Sequence, residues 1–252
     1  SQLRRLVQPF LLRRLKKDVL KELPPKEEYV RKISLSEDEQ KLYYACVQAA
    51  VADLGDEQGK LQILAALTRL RPGLCFENYE GPTSKLDACV ELCEAMAENG
   101  HQILLFSQFT SMLDRLRERL DALHISNFTL QGSTPKEKRA AMVKAFNAGS
   151  ASVFLISLKA GGMGLNLTAA DIVIHYDPWW NQAAQDQATD RVHRIGQQAH
   201  VQVYKLIAKD TIEERILELQ NRKLALLDTI SGCEEAGILN MSSEELLSLL
   251  KS

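Results

Sequence analysis

Two arginines, Arg191 and Arg194, stand three residues apart in the string Asp186-Gln187-Ala188-Thr189-Asp190-Arg191-Val192-His193-Arg194-Ile195-Gly196-Gln197. On a helix this spacing puts both side chains on one face, where they can point at a single target. A guanidinium is permanently charged and forks onto phosphate oxygens, as charge spreading over a transferring phosphoryl group requires. A solvated helix laced with surface salt bridges uses the same residues, and spacing alone leaves both readings open. His193 reads as an orienting or packing group rather than a catalytic base. A second string, Ser157-Leu158-Lys159-Ala160-Gly161-Gly162-Met163-Gly164-Leu165-Asn166-Leu167, follows an apolar run. Its glycines let backbone approach a partner closely, and Lys159 or Ser157 could meet a phosphate. A tight strand-to-helix turn has the same composition. The sequence has no Gly-rich phosphate loop ending in Lys and Ser or Thr, and the nearest string, Gly55–Leu61, has the wrong spacing and ends in leucine. No apolar strand runs into an Asp-Glu pair that could hold a metal.

The elements that must position these residues follow from hydrophobic periodicity. Helical stretches at about 84–99, 109–124, 135–148 and 181–192 alternate with short apolar runs. Those runs are Ile103–Phe106, Phe128–Leu130, Val153–Ile156, Ile172–Tyr176 and Val201–Leu206. The alternation predicts βαβ units and a parallel sheet covered by helices on both faces. Function in such sheets gathers in loops beyond the carboxyl ends of the strands. Here those loops hold Ser107-Gln108, Gln131–Thr134, Ser157–Gly164 and Asp177–Asn181. Upstream, Pro9–Leu23 has helical spacing, Tyr29–Leu35 alternates like a short strand, and two helices are expected at about 37–53 and 58–71. Ser36 with Glu39 three residues later forms a capping-box pattern. A last helix is expected at about 211–230.

The chain of 252 residues is 45% hydrophobic and 25% charged, an ordinary globular composition, and its net charge of -2 does not announce a nucleic-acid binder. Charge is unevenly spread: Arg4, Arg5, Arg13, Arg14, Lys16, Lys17 and Lys21 crowd the start, while 234–245 is acidic. No apolar run approaches the roughly 20 residues of a membrane span, so no membrane partner is expected. Five cysteines without Cys-x-x-Cys spacing argue against a disulfide scaffold and a structural zinc site. Cys89 and Cys93 read as core residues of a helix. An intracellular setting follows, cytoplasmic in a bacterium or nuclear in a eukaryote. The chain begins at Ser1 without an initiator methionine and is expected to be a piece of a longer protein.

Together the strings are more specific than any one alone. Ile103–Thr110 (ILLFSQFT), Leu130–Thr134 (LQGST), Ser157–Leu167 (SLKAGGMGLNL), Tyr176–Asn181 (YDPWWN) and Asp190–Gln197 (DRVHRIGQ) occur in this order. In order and spacing they resemble motifs four to six of SWI/SNF-type ATPases, in the helicase-like superfamily two. Residues 13–19 and 23–26 resemble that family's lobe junction, Leu61–Arg71 its helical insertion, and Thr211–Leu227 its closing brace helix. The resemblance covers roughly residues 5–232.

The resemblance implies an α/β, RecA-like second lobe with an N-terminal helical insertion and a C-terminal brace helix. The expected divisions are a lobe-junction segment at 1–35, the insertion at 36–83, the helicase C-terminal lobe at 84–209, and the brace with an acidic tail at 210–252. It implies that Arg191 and Arg194 act as catalytic arginines toward ATP, which is held with Mg²⁺ mainly by a first lobe outside this sequence. Gly162, Gly164, Asn166 and Gln187 would bind or couple to ATP. Ser107, Gln108, Ser133, Thr134, Ser157, Lys159 and Trp180 would contact DNA. No metal ligand is expected on this lobe. The intact protein is expected to be a monomeric, DNA-dependent ATPase that translocates on double-stranded DNA and acts on nucleoprotein, while this chain alone is inactive. Asp190 and His193 both stand where many strand-separating relatives carry Gly, which favours translocation over unwinding. The rival readings are a strand-separating helicase lobe and a non-enzymatic DNA- or partner-binding module.

Overall fold

The structure, a computed structural model, describes residues 26–54, 59–76, 79, 83–161, 165–190, 192, 199–229, 246 and 249. The expected helix at Pro9–Leu23 and the acidic stretch at 234–245 lie outside them. Six strands, β1 (Lys26–Ile33), β2 (Ile103–Ser107), β3 (Asn127–Leu130), β4 (Val153–Ser157), β5 (Ile172–His175) and β6 (Val201–Ala208), form one sheet. Its order is β1-β6-β5-β2-β4-β3, and every pairing is parallel.

Nine helices accompany these strands among the described residues: α1 (Glu37–Ala52), α2 (Lys60–Arg69), α3 (Pro72–Cys75), α4 (Ser84–Glu98), α5 (Thr110–Ala122), α6 (Lys136–Asn147), α7 (Leu158–Gly161), α8 (Gln182–Thr189) and α9 (Ile212–Thr229). The RecA-like α/β fold expected from the sequence is the one observed.

Period-two alternation sorts the central strands into two cores. Ile103 and Leu105 of β2 face one way and join Leu86, Cys89, Cys93, Leu113 and Leu116 of α4 and α5. Leu104 and Phe106 face the other way and join Phe146, Phe154, Val173 and Trp179. A strand buried on both faces must be apolar throughout, which is why β2, β4 and β5 read as unbroken hydrophobic runs. Cys89 and Cys93 are fully buried core residues, as their helical spacing predicts, and burial pushes the Cys89 thiol pKa up.

The strand expected at Tyr29–Leu35 runs from Lys26 to Ile33 and adds to the sheet edge, in register with all eight residues of β6. Its exposed residues include Lys26, Glu27, Glu28, Arg31 and Lys32, charges that discourage edge-to-edge association. Glu28 bonds Lys205 of β6 at 2.7 Å, and Tyr29 stacks on Tyr204 with centroids 5.2 Å apart.

A third cluster joins Ala50, Ile63, Ala66, Leu67 and Leu70 of the helical segment to Ile212 and Ile216 of α9. The predicted capping box is present at the start of α1. Its Glu39, fully buried, also accepts from the Ser84 backbone N–H at 2.9 Å and from the Ser84 hydroxyl. One carboxylate therefore serves the N-termini of both α1 and α4. The start of α4 is tied to α9 by the buried Lys85–Glu213 pair at 2.5 Å.

Candidate nucleic-acid interface

β2 leads away toward β3, whereas β5, its neighbour on the other side, leads toward β6. Their loops diverge at the carboxyl ends, which is where open α/β sheets place ligands. Asp177, two residues beyond β5, fastens the two loops together. Its carboxylate accepts from the Ser107 hydroxyl at 2.6 Å, from the Gln108 backbone N–H at 3.2 Å and from Gln108 Nε2 at 2.8 Å. Gln108 Nε2 also donates to the Pro178 carbonyl at 3.0 Å, and Ser107 Oγ accepts from the Phe109 N–H at 3.1 Å. Three charge-assisted hydrogen bonds to one buried carboxylate hold this corner rigid.

Ser107 is fully buried, with its hydroxyl committed to Asp177. In this conformation the hydroxyl faces Asp177 and the loop that carries Gln108 rather than the surface. Ser157 is likewise only 4% exposed, and its Oγ has no hydrogen-bond partner among the described residues. Its side chain too is closed off from any ligand in this conformation.

The two tryptophans after Pro178 part company. Trp179 is buried and meets Phe106 and His175 edge-on, with centroids 6.4 and 5.7 Å away. Its backbone N–H donates to Gln185 Oε1 at 3.2 Å, and its carbonyl accepts from Gln220 of α9. Trp180 is half-buried and turns toward the helical cluster instead. The Arg71 guanidinium lies over its ring at 5.2 Å.

His175 closes β5, fully buried, with Nε2 2.9 Å from the Thr189 hydroxyl and its ring stacked on Phe106. Burial lowers its pKa to about 3, so the ring is neutral near pH 7.

Farther along the same sheet end, Ser133 is exposed and Thr134 half-buried. Thr134 Oγ1 accepts from the Gln131 N–H at 3.1 Å, and its carbonyl accepts from Arg139 at 3.1 Å. Asn166 is exposed, with its carbonyl held by Asn147 Nδ2 at 2.9 Å. Gln187 is exposed on α8, whose Gln185, Ala188 and Thr189 are buried. Lys159 lies in α7. Gly162, Gly164, Arg191 and Arg194 lie outside the described residues. The helix expected over 181–192 ends at Thr189 with Asp190 as its C-cap.

Two residues here escaped sequence reasoning. Asp177 sits in a loop recognisable as polar, but nothing in its type announces that it receives Ser107 and Gln108 from 70 and 69 positions away. Arg71 reads as one more cation at a helix end, and its target loop lies 107 positions on.

The Helicase conserved C-terminal domain family matches residues 84–196, and the SNF2-related domain family matches 1–78. The C-terminal domain of the Sulfolobus solfataricus SWI2/SNF2 ATPase is similar at 28% identity and a TM-score of 0.69, over 90% of this chain and 98% of that one. The Sulfolobus solfataricus SWI2/SNF2 ATPase core in complex with double-stranded DNA is 31% identical with a TM-score of 0.73, over 99% of this chain and 56% of that one. An uncharacterized ATP-dependent helicase of Mycoplasma genitalium is 38% identical over 261 residues, 100% of this chain. The fold and the ordered loops thus define a helicase-like RecA lobe. The chain belongs to the SWI/SNF-related family, as its second, C-terminal ATPase lobe. It spans 25% of the length of that Mycoplasma relative.

Proposed function

We propose that this chain works as the second lobe of an ATP-driven translocase on double-stranded DNA. ATP sits in the cleft between lobes, bound with Mg²⁺ mainly by the first, and lobe closure brings Arg191 and Arg194 to its phosphates. Gly162, Gly164, Asn166 and Gln187 couple that event to the DNA-facing loops. Gln108, Ser133, Thr134, Lys159 and Trp180 face the duplex, and Ser107 and Ser157 act from behind them by shaping the loop ends. Phosphate contact dominates affinity, so binding is indifferent to sequence. A nucleoprotein substrate and a monomeric state complete the reading.

The observation that carries it is a second-lobe fold joined to a sequence without a phosphate loop of its own. Such a lobe has catalytic meaning only across an interface with a nucleotide-binding partner. A non-enzymatic module has no need of a phosphoryl-transfer clamp.

Phosphate release tests this with saturating duplex and Mg-ATP, for the chain alone and for the chain joined to its first lobe. The chain alone should stay at background, and the joined protein should turn over ATP when DNA is added. DNA-dependent turnover by the chain alone, persisting through purification, would overturn the two-lobe reading. Strand displacement in parallel should be negligible, and robust unwinding would favour the helicase reading.

A further inference from the structure

Arg71 is 1% exposed, yet its guanidinium reaches across the molecule to residues of the two fastened loops. Its NH1 donates to the Pro178 carbonyl at 2.5 Å, and its Cζ lies 5.2 Å from the Trp180 ring centroid and 6.0 Å from that of Phe109. Nε has no hydrogen-bond partner among the described residues. Burial pulls its pKa below the ordinary arginine value, and the Asp177 charge offsets part of that pull. Burying a charge in this way is unfavourable, and an apolar side chain of similar volume is generally tolerated better. Core filling therefore does not explain the choice of arginine. The choice is explained by geometry that only a planar, forked cation supplies: a donor to one carbonyl together with a flat face for two rings.

The helical cluster and the loop after β5 meet at this residue. Arg71 follows α2, whose Ile63, Ala66 and Leu67 pack with Ile212 and Ile216 of α9. The loop is fixed from its other side by Asp177 and Gln108. Among the described residues Trp180 makes no hydrogen bond; it rests on Arg71 and the helical cluster.

Resting on the reading of Trp180 and Gln108 as DNA-facing, we propose that Arg71 is the positioning residue for this DNA contact. It locks Trp180 beside Gln108 and ties the position of the helical insertion to the grip on the duplex. Arg71 does not itself touch DNA.

The test uses the intact two-lobed protein, with Arg71→Met, Arg71→Lys, Trp180→Ala and the Arg71→Met/Trp180→Ala double variant. ATP hydrolysis is followed against duplex concentration, and hydrogen exchange is followed in peptides spanning 107–109 and 176–181. Arg71→Met should raise the half-saturating duplex concentration roughly tenfold while the KM for ATP holds and kcat falls much less, the scale expected for losing a desolvated cation–π contact and a charged hydrogen bond. Arg71→Lys should be impaired in the same sense, because lysine keeps charge but loses the plane. Exchange should rise in both loop peptides and not in β2 or β5. The double variant should bind DNA no worse than Trp180→Ala, since both changes remove one contact. A purely structural arginine would lower kcat through loss of active protein and leave the half-saturating concentration alone.

If Arg71→Met does not fold, Arg71→Lys and Arg71→Lys/Trp180→Ala carry the same comparisons. Wild-type half-saturation in a folded Arg71 variant, unchanged loop exchange, or losses that multiply in the double variant would each overturn the inference. A wild-type protein that DNA does not stimulate overturns the reading of function, and this inference falls with it; a stimulated wild type with unaffected variants overturns the inference alone.

Discussion

At Asp177 one carboxylate receives a hydroxyl, a backbone N–H and a side-chain amide, and all three donors come from Ser107 and Gln108. Removing the acceptor leaves those donors facing each other in a buried corner. Asp177→Ala should therefore cost about 2–3 kcal/mol of folding stability in urea unfolding, and Ser107→Ala, which removes one donor, only about 1 kcal/mol. Equal small losses for both would show that the corner is not held by this carboxylate. His175 gives a pH test. Its folded pKa of about 3 lies below the ordinary 6.5, so between those values the unfolded chain binds a proton that the folded chain refuses. Stability contributed by this group is present in full above pH 6.5 and is lost as pH falls toward 3, at up to about 1.4 kcal/mol per pH unit. Unfolding free energies at pH 7 and pH 5 should differ less in His175→Phe than in the wild type; equal differences would contradict the buried, neutral ring. Residue types at strand ends were only partly legible. Ser107 and Ser157 read as phosphate contacts because a hydroxyl at a strand end can face either the ligand or the core. The neighbour that decides, Asp177 for Ser107, is 70 positions away.

The elements were far easier to read, because periodicity is local and covering both faces of a parallel sheet forces it. The apolar runs from Ile103 onward became β2 to β6, and the amphipathic stretches became the helices between them. The pairing of β1 was not legible: strand character shows in Tyr29–Leu35, but the partner, Val201–Ala208, is fixed only by the assembled sheet. Glu39 makes the same point. The Ser36–Glu39 capping box was visible as a spacing, whereas the second use of Glu39, at the Ser84 N-terminus of α4, depends on how two helices pack. The N-cap of α4, Thr83, makes no side-chain cap of its own, so Glu39 stands in for it. Ser36→Ala should thus cost about 1 kcal/mol, as an ordinary cap does, and Glu39→Ala about 3 kcal/mol, because two helix starts lose their acceptor. Denaturant titration of both variants checks the ratio; a Glu39→Ala loss no larger than that of Ser36→Ala would mean the helices do not depend on one another here.

At the scale of the molecule, the chain is a second, C-terminal lobe, and the proposed function gives it chemistry only across an interface with a first lobe. The sheet presents polar loops at one end, Asp177 and Arg71 set their geometry from behind, and the sequence carries no phosphate loop. With a net charge of -2, the proposed contact with DNA would rest on placed loops rather than on bulk attraction. Family and fold were legible from the ordered motifs, which the matches at 84–196 and 1–78 bear out. The measurement that tests the central claim most directly is single-turnover ATP hydrolysis by the two-lobed protein carrying Arg194→Lys, with nucleotide affinity measured on the same sample. An arginine that stabilises charge in the transition state contributes on the order of 10³–10⁵ in turnover, and lysine loses the fork. The account predicts a fall in hydrolysis of about 10³ or more, nearly unchanged ATP binding, and an Arg191→Ala/Arg194→Ala variant little worse than the poorer single change. Near-normal hydrolysis in Arg194→Lys would contradict it, because these arginines would then serve fold or surface charge and the lobe would have no clamp to offer.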